Sequence, residues 1–149
     1  MKIGFVGLGN VGGKLANNLI ENNFQISVLD KNHILMDEFK LKGAKTAKSI
    51  KDLVINSDIL ITCLPSPKIC AEVLESKDGI IDTIQKDQIW IEMSTTEDEQ
   101  LKKHASLIEQ KNAIALEAPV SGGCHRAATG NISIFAVSYT HLTLPTNLC

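Results

Sequence analysis

The chain has 149 residues, 44% hydrophobic and 21% charged, the balance of one globular domain with enough apolar side chain to bury a core. Its net charge of −2 offers no electrostatic footprint for nucleic acid or for an anionic membrane surface. No apolar run reaches the length of a membrane span, so neither nucleic acid nor membrane is expected as a partner.

The first thirty residues organise the rest. Lys2-Ile3-Gly4-Phe5-Val6 is a short apolar run of the kind that makes a fully buried strand. It enters Gly7-Leu8-Gly9-Asn10-Val11-Gly12, a G-x-G-x-x-G turn. After it Val11, Leu15, Ala16, Leu19 and Ile20 recur at helical spacing. Residues 24–29 form a second apolar run, ending on Asp30. Strand, glycine turn, helix, strand and acid, in that order, is the context in which the motif signals dinucleotide binding. The same content reads residues 1–20 as folded structure rather than a signal peptide.

Each part of the motif has a physical task. Gly7 makes the tight turn, Gly9 lets a pyrophosphate approach the backbone, and Gly12 lets the helix pack close to the sheet. The helix N-terminus offers N–H groups and partial positive charge to phosphates. Asp30 follows the turn by about twenty residues, where a carboxylate accepts hydrogen bonds from ribose hydroxyls. A 2′-phosphate would meet Asp30 with like charge, so the expected cofactor is NAD. NADP is the alternative, because Lys31 partly offsets that charge. Flavoproteins and methyltransferases that bind S-adenosylmethionine use similar loops, so the loop alone specifies an adenosine-containing cofactor.

Residues 34–42 read as a short helix with Leu35 and Phe39 inward, together with Ile34 and Leu41, and Gly43 as its C-cap. Residues 44–47 suit a small edge strand, and Ser49 caps a helix over residues 50–56. Residues 58–64 are near-continuously apolar, as a central parallel strand covered on both faces should be. Pro65 stops that strand. Ser66 as N-cap and Pro67 at the first helical position open a helix whose stripe is Ile69, Cys70, Val73 and Leu74. Residues 88–93 make the next strand, with Ser94 and Thr95 at its carboxyl end. Thr96 and Glu99 suggest a capping box for a helix to Gln110 with Leu101, Ala105 and Ile108 inward. Residues 113–118 are a buried strand broken by Pro119, and residues 131–137 are the last strand.

Alternating strands and helices with right-handed crossovers give an α/β fold. It is doubly wound and Rossmann-type, a mostly parallel sheet with helices on both faces. Ligands in such sheets lie at the carboxyl ends of the strands, which selects Leu64-Pro65, Ser94-Thr95 and residues 119–123 as the rim. In Ser121-Gly122-Gly123 a hydroxyl and exposed N–H groups suit a small carboxylate or hydroxyl substrate, although a plain glycine turn has the same composition. Other candidates carry blander readings. His125 and Arg126 read as a solvated loop pair, His104 as helix packing, Lys68 as a surface charge and Trp90 as core. Cys63, Cys70, Cys124 and Cys149 show no C-x-x-C pair and no ligand spacing with His33, His104 or His125. They read as reduced cytoplasmic thiols, and no metal is expected.

Taken together, the chain resembles the β-hydroxyacid dehydrogenase family, typified by 3-hydroxyisobutyrate dehydrogenase. The likeness rests on Gly4 through Gly12, on Cys63-Leu64-Pro65 against a family Met-Leu-Pro, and on Glu92-Met93-Ser94-Thr95 against Asp-Ser-Ser-Thr. It rests also on Glu117-Ala118-Pro119-Val120-Ser121-Gly122-Gly123 against Asp-Ala-Pro-Val-Ser-Gly-Gly, followed by Ala128-Thr129-Gly130-Asn131. The resemblance implies that Leu64 and Pro65 line the adenosine-ribose side, that Thr95 lies near the nicotinamide, and that Ser121, Gly122 and Gly123 hold the substrate carboxylate. It implies reversible hydride transfer between NAD(P) and a short β-hydroxyacid, in a homo-oligomer. The family's general acid/base is a lysine on an interdomain helix, and no matching lysine exists in this chain, so no catalytic residue is expected here. An imine reductase, a 6-phosphogluconate-type dehydrogenase or a non-catalytic NAD-binding module are the alternatives.

From Ser138 onward the sequence carries no Asp, Glu, Lys or Arg and looks like a translated transposase adapter. The expected organisation is therefore a dinucleotide-binding domain over residues 1–137 and a non-native tail over 138–149, with the helical substrate domain missing and the fragment inactive.

Overall fold

The computed structural model describes residues 1–138. The expected tail lies outside the described residues except for Ser138. Among the described residues, five strands of four or five residues and four two-residue pieces are interspersed with seven helices. In order they are β1 (Lys2–Val6), α1 (Gly12–Glu21), β2 (Gln25–Leu29), α2 (His33–Leu41), β3 (Lys45–Thr46), α3 (Ile50–Ile55) and β4 (Ile59–Thr62). Then come α4 (Pro67–Glu75), α5 (Ile80–Thr83), β5 (Ile89–Glu92), α6 (Asp98–Glu109) and β6 (Ile114–Glu117). The last are β7 (Val120–Ser121), α7 (Gly123–Ala128), β8 (Ser133–Ile134) and a fourth short piece, β9 (Val137–Ser138).

The main sheet has seven strands in the order β3-β2-β1-β4-β5-β6-β9. All its pairings are parallel except β6 with β9, which is antiparallel. β7 and β8 form a separate antiparallel pair. The order reverses at β1: the chain first builds outward through β2 and β3, then returns to lay β4 on the other side of β1. The Rossmann-type expectation is met.

Side chains alternate between two cores, one on each face. Ile3, Phe5, Ile26, Val28 and Ile61 pack with Ala16 of α1 and with Met36 and Phe39 of α2. Val6, Leu60, Trp90 and Ala115 pack on the opposite face with Leu53, Leu74, Ile80, Leu101 and Ile108 from α3 to α6. Being covered on both faces explains why β1 and β4 read as continuous apolar runs. Trp90 is fully buried, and its Nε1 donates to Thr62 Oγ1 at 3.0 Å, which satisfies the one polar atom of the ring. His104 is buried too; its Nε2 lies 2.6 Å from Glu75 Oε1 and its ring meets Trp90 edge-on at 6.4 Å.

Four local expectations are corrected. In α2, Ile34 is 71% exposed and Leu41 90% exposed, while Met36 is buried beside Phe39. The helix turns the 36/39 ridge to the sheet, and Asn32 caps it by accepting from the Ile34 N–H. Phe24 stays outside β2 and is 41% exposed. The Thr96/Glu99 capping box does not form, because α6 starts at Asp98 after an uncapped Glu97. Gln100, now in the third helical position, sends its Nε2 across to the Pro67 carbonyl instead. Residues 131–137 are not one strand: Ile134 pairs with Val120 and Val137 with Glu117, so the chain changes sheet between them. The Phe135 N–H donates to the Pro119 carbonyl at that bend.

Candidate functional site

A cavity of about 670 Å³ opens where β1, β2 and β4 end, at the point where strand order reverses. That is the crevice in which open α/β sheets bind ligands. Gly7, Gly9, Asn10, Val11 and Gly12 form one wall, and Leu29 and Asp30 form the β2 side. Cys63, Leu64 and Pro65 come from the end of β4, and Ile50, Ile69 and Val73 supply an apolar floor from α3 and α4.

The three motif glycines differ sharply in their surroundings. Gly7 has φ +98°, and a Cβ there would lie 2.2 Å from the Cys63 carbonyl oxygen. A Cβ on Gly12 would lie 2.2 Å from the Gly7 carbonyl oxygen. Nothing lies within 4 Å of a Cβ on Gly9. So Gly7 and Gly12 are closed by backbone, and Gly9 alone faces open space. No side chain caps α1, so none competes for the N–H groups at its amino end.

Asp30 is pinned by the backbone. Its Oδ2 accepts from the Leu8 N–H at 2.6 Å and its Oδ1 from the Asn32 N–H at 2.8 Å. The acid therefore ties the glycine turn to the end of β2, a structural task beyond the one the motif suggests. Each oxygen keeps a second lone pair for another donor. Leu8 does not line the cavity: its side chain is 3% exposed in the core, and only its N–H belongs to the site.

Behind the β4 wall lies a hydrogen-bonded chain that the motifs did not announce. The Leu64 N–H donates to Ser94 Oγ at 2.7 Å, and the Ser94 N–H donates to Glu92 Oε1 at 2.8 Å. Glu92 is 1% exposed, and its Oε2 is buried with no hydrogen-bond partner, though Thr62 and Cys70 lie beside it. Burial holds its carboxyl above the usual carboxylate range, against the pull of Ser94. Burial also pushes the Cys63 and Cys70 thiols up to about 11, with Glu92 adding to the shift. Both thiols are therefore neutral and poor nucleophiles at physiological pH. An acid at the inward-facing end of an otherwise apolar strand was the available signal for Glu92.

Thr95 is exposed and, like Ser121, Gly122 and Gly123, does not line this cavity. Those three residues turn the chain from β7 into α7, with Gly122 at φ +128°. α7 packs on α1, where the Asn18 side chain donates to the Ala127 carbonyl. His125 and Arg126 are exposed on α7, and Lys68 is exposed on α4. Among the described residues no His, Cys, Asp and Glu side chains gather as a metal site, and no helix is long and apolar enough to cross a membrane.

Residues 2–141 match a family model described as the NAD binding domain of 6-phosphogluconate dehydrogenase. The chain belongs to that family. It is an α/β NAD-binding domain, and the resemblance to the 3-hydroxyisobutyrate dehydrogenases holds along most of its length. It is 35% identical over 131 residues to the mitochondrial 3-hydroxyisobutyrate dehydrogenase of Rattus norvegicus, covering 88% of this chain and 39% of the rat protein. The chain thus spans well under half of that relative. The crystal structure of 3-hydroxyisobutyrate dehydrogenase from Salmonella typhimurium matches with a TM-score of 0.84 at 25% identity, over 91% of this chain and 47% of that one. A structure of Psf3 in complex with NADP+ and 2-OPP matches with a TM-score of 0.89 at 24% identity, over 93% and 49% respectively.

Proposed function

We propose that the chain is the cofactor-binding part of an oxidoreductase that transfers a hydride between a nicotinamide dinucleotide and a short β-hydroxyacid of the 3-hydroxyisobutyrate kind. The observation that carries this reading is the glycine turn. All three glycines line the cavity, but only at Gly9 would a Cβ meet open space, while Gly7 and Gly12 are sealed against backbone, beside an acid at the end of β2. A pyrophosphate needs that one Cβ-free approach, next to a helix N-terminus with no side-chain cap.

In this reading Gly7, Gly9, Asn10, Val11 and Gly12 hold the pyrophosphate, Leu8 serves the site through its N–H bond to Asp30, and Asp30 accepts from the adenosine ribose. Leu64 and Pro65 flank that ribose, Ile50, Ile69 and Val73 give the adenine ring an apolar bed, and Thr95 stands near the nicotinamide. The cofactor is NAD, with NADP as the alternative; its nicotinamide ring supplies the hydride acceptor or donor. Ser121, Gly122 and Gly123 hold the substrate carboxylate through a hydroxyl and backbone N–H groups. The free thiols Cys63, Cys70 and Cys124 support a reducing compartment, the cytoplasm in this reading.

The reading of residues 138–149 as a non-native tail belongs to the same proposal. The acting enzyme is a homo-oligomer whose general acid/base is a lysine, and no residue of this chain matches that lysine. Without such a group a proton-coupled hydride transfer loses roughly 10²- to 10⁴-fold in rate, before any loss of substrate positioning is counted. The chain therefore binds NAD and turns nothing over.

Calorimetric titration with NADH and NADPH tests the binding claim, and Asp30→Ala should weaken NADH by roughly ten-fold, a charge-assisted hydrogen bond's worth. Unchanged NADH affinity in that variant would remove Asp30 from the site. Oxidation of any short hydroxyacid by the chain would end the claim of inactivity. An imine reductase or 6-phosphogluconate-type parent shares this fold and differs in the substrate domain.

A further inference from the structure

The cavity has one acid and one base among its lining residues, Asp30 and its neighbour Lys31. The two are held very differently. Asp30 is fixed by two backbone N–H groups, so its negative charge stays at the end of β2 whatever enters the cavity. Lys31 is 83% exposed, and its Nζ reaches across the mouth of the cavity to Glu72 Oε2 of α4, 3.4 Å away. Among the described residues this is the one polar contact of the Lys31 side chain. Glu72 is itself half exposed at 50% and sits one residue before Val73, which lines the apolar floor.

We infer that Glu72 is a specificity-determining residue, which favours a dinucleotide with a free 2′-hydroxyl by engaging Lys31, the only cationic side chain lining the cavity. A 2′-phosphate brings close to two negative charges to the side of the ribose where Asp30 sits, so its acceptance depends on a cation to offset them. Lys31 is the candidate, and while paired with Glu72 it is directed toward α4. A free 2′-hydroxyl needs neither neutralisation nor Lys31, because Asp30 accepts from it directly. Preference thus comes from an acid that touches no part of the cofactor. The pair is exposed and solvent-screened, so its weight is that of a surface ion pair and sets a bias rather than an absolute choice.

This rests on the nucleotide reading above, and one experiment separates the two. Dissociation constants for NADH and NADPH, and for the probes adenosine 5′-monophosphate and adenosine 2′,5′-bisphosphate, are measured on the whole chain at low and high salt. The wild type is compared with Glu72→Gln, Lys31→Ala and the double variant, with melting temperatures as a check on folding. Both side chains are exposed, so all variants should melt with the wild type. Glu72→Gln should tighten NADPH and the 2′,5′-bisphosphate by roughly two- to five-fold, the range of an exposed ion pair, and move NADH and the monophosphate by less. The gain should shrink at high salt. It should vanish in the double variant, because Lys31 is its agent. An unchanged NADPH-to-NADH ratio in Glu72→Gln overturns the inference, and so does a gain of equal size on the Lys31→Ala background. If the wild type binds none of the four nucleotides, the nucleotide reading itself fails.

Discussion

Gly12→Ala should abolish the native fold or cost it several kcal/mol, while Gly9→Ala should melt close to the wild type and yet fail to bind NADH. The new methyl on residue 12 would overlap the Gly7 carbonyl oxygen at 2.2 Å, and both atoms belong to backbone that cannot swing aside. Overpacking of this kind costs on the order of 1–3 kcal/mol where side chains can adjust, and more where only backbone can move. Gly7→Ala adds about 1–2 kcal/mol of left-handed strain at φ +98° to an overlap of the same size with the Cys63 carbonyl. At Gly9 a Cβ has open space on all sides, so stability has no reason to change beyond tenths of a kcal/mol. On the proposed reading the Gly9 methyl occupies the approach of the pyrophosphate. Thermal melts and NADH titration of the three variants decide the matter: destabilisation by Gly9→Ala, or full NADH affinity with it, would contradict the account of the turn.

Glu92→Gln should stabilise the domain at neutral and alkaline pH and leave it little changed near pH 4. The folded state holds the Glu92 carboxyl above its ordinary value of 4.5, chiefly because burial penalises the charged form. Below that value both folded and unfolded chains carry the proton, and the group contributes nothing to a pH slope. As pH rises above 4.5 the unfolded chain loses its proton first, so the unfolded state gains and stability falls until the folded carboxyl also ionises. Glutamine keeps an oxygen for the Ser94 N–H and puts a neutral amide where Oε2 has no partner. Removal of a buried charge that lacks a full set of hydrogen bonds is worth about 1–3 kcal/mol, the gain expected at pH 8. Glu75 acts in the opposite sense at the acid end, since His104 and then Lys103 hold its carboxyl below the usual range. Its contribution is lost as pH falls, in wild type and variant alike. Denaturant melts from pH 4 to 9 should show a downward slope in the wild type that Glu92→Gln flattens; parallel curves would refute it.

The parts of this molecule that could be read from the sequence are those fixed by local chemistry. The glycine turn, the Ser49 and Ser66 caps and the Pro67 helix start depend on residues within a few positions of one another, and each formed as expected. The parallel core strands announced themselves because burial on both faces leaves no room for polar alternation. What escaped was decided by partners distant in sequence. The Thr96/Glu99 capping box gave way to a helix start at Asp98 whose Gln100 reaches the Pro67 carbonyl, and residues 131–137 divided between β7 and β6 rather than following their own apolar pattern. The Glu92–Ser94–Leu64 chain joins the ends of two strands, and the Lys31–Glu72 pair joins a strand end to a helix 41 positions on. Sequence spacing carries no sign of either. Ser121-Gly122-Gly123 was legible as a turn, and it joins β7 to α7, which packs on α1, outside the lining of the cavity.

β1 comes first among the described strands and stands near the middle of the sheet, with one ladder to β2 and another to β4. The second ladder runs from Ile3–Ile59 to Val6–Thr62, so its partner residues leave the ribosome more than fifty positions later. A nascent chain shorter than that carries β1 with one open edge, a row of unpaired N–H and C=O groups able to pair with any strand nearby. The strand that shapes the cofactor turn is therefore also the one that must wait longest for its neighbour. Closing that long loop, rather than forming any helix, is the step that should govern how fast the domain folds during synthesis.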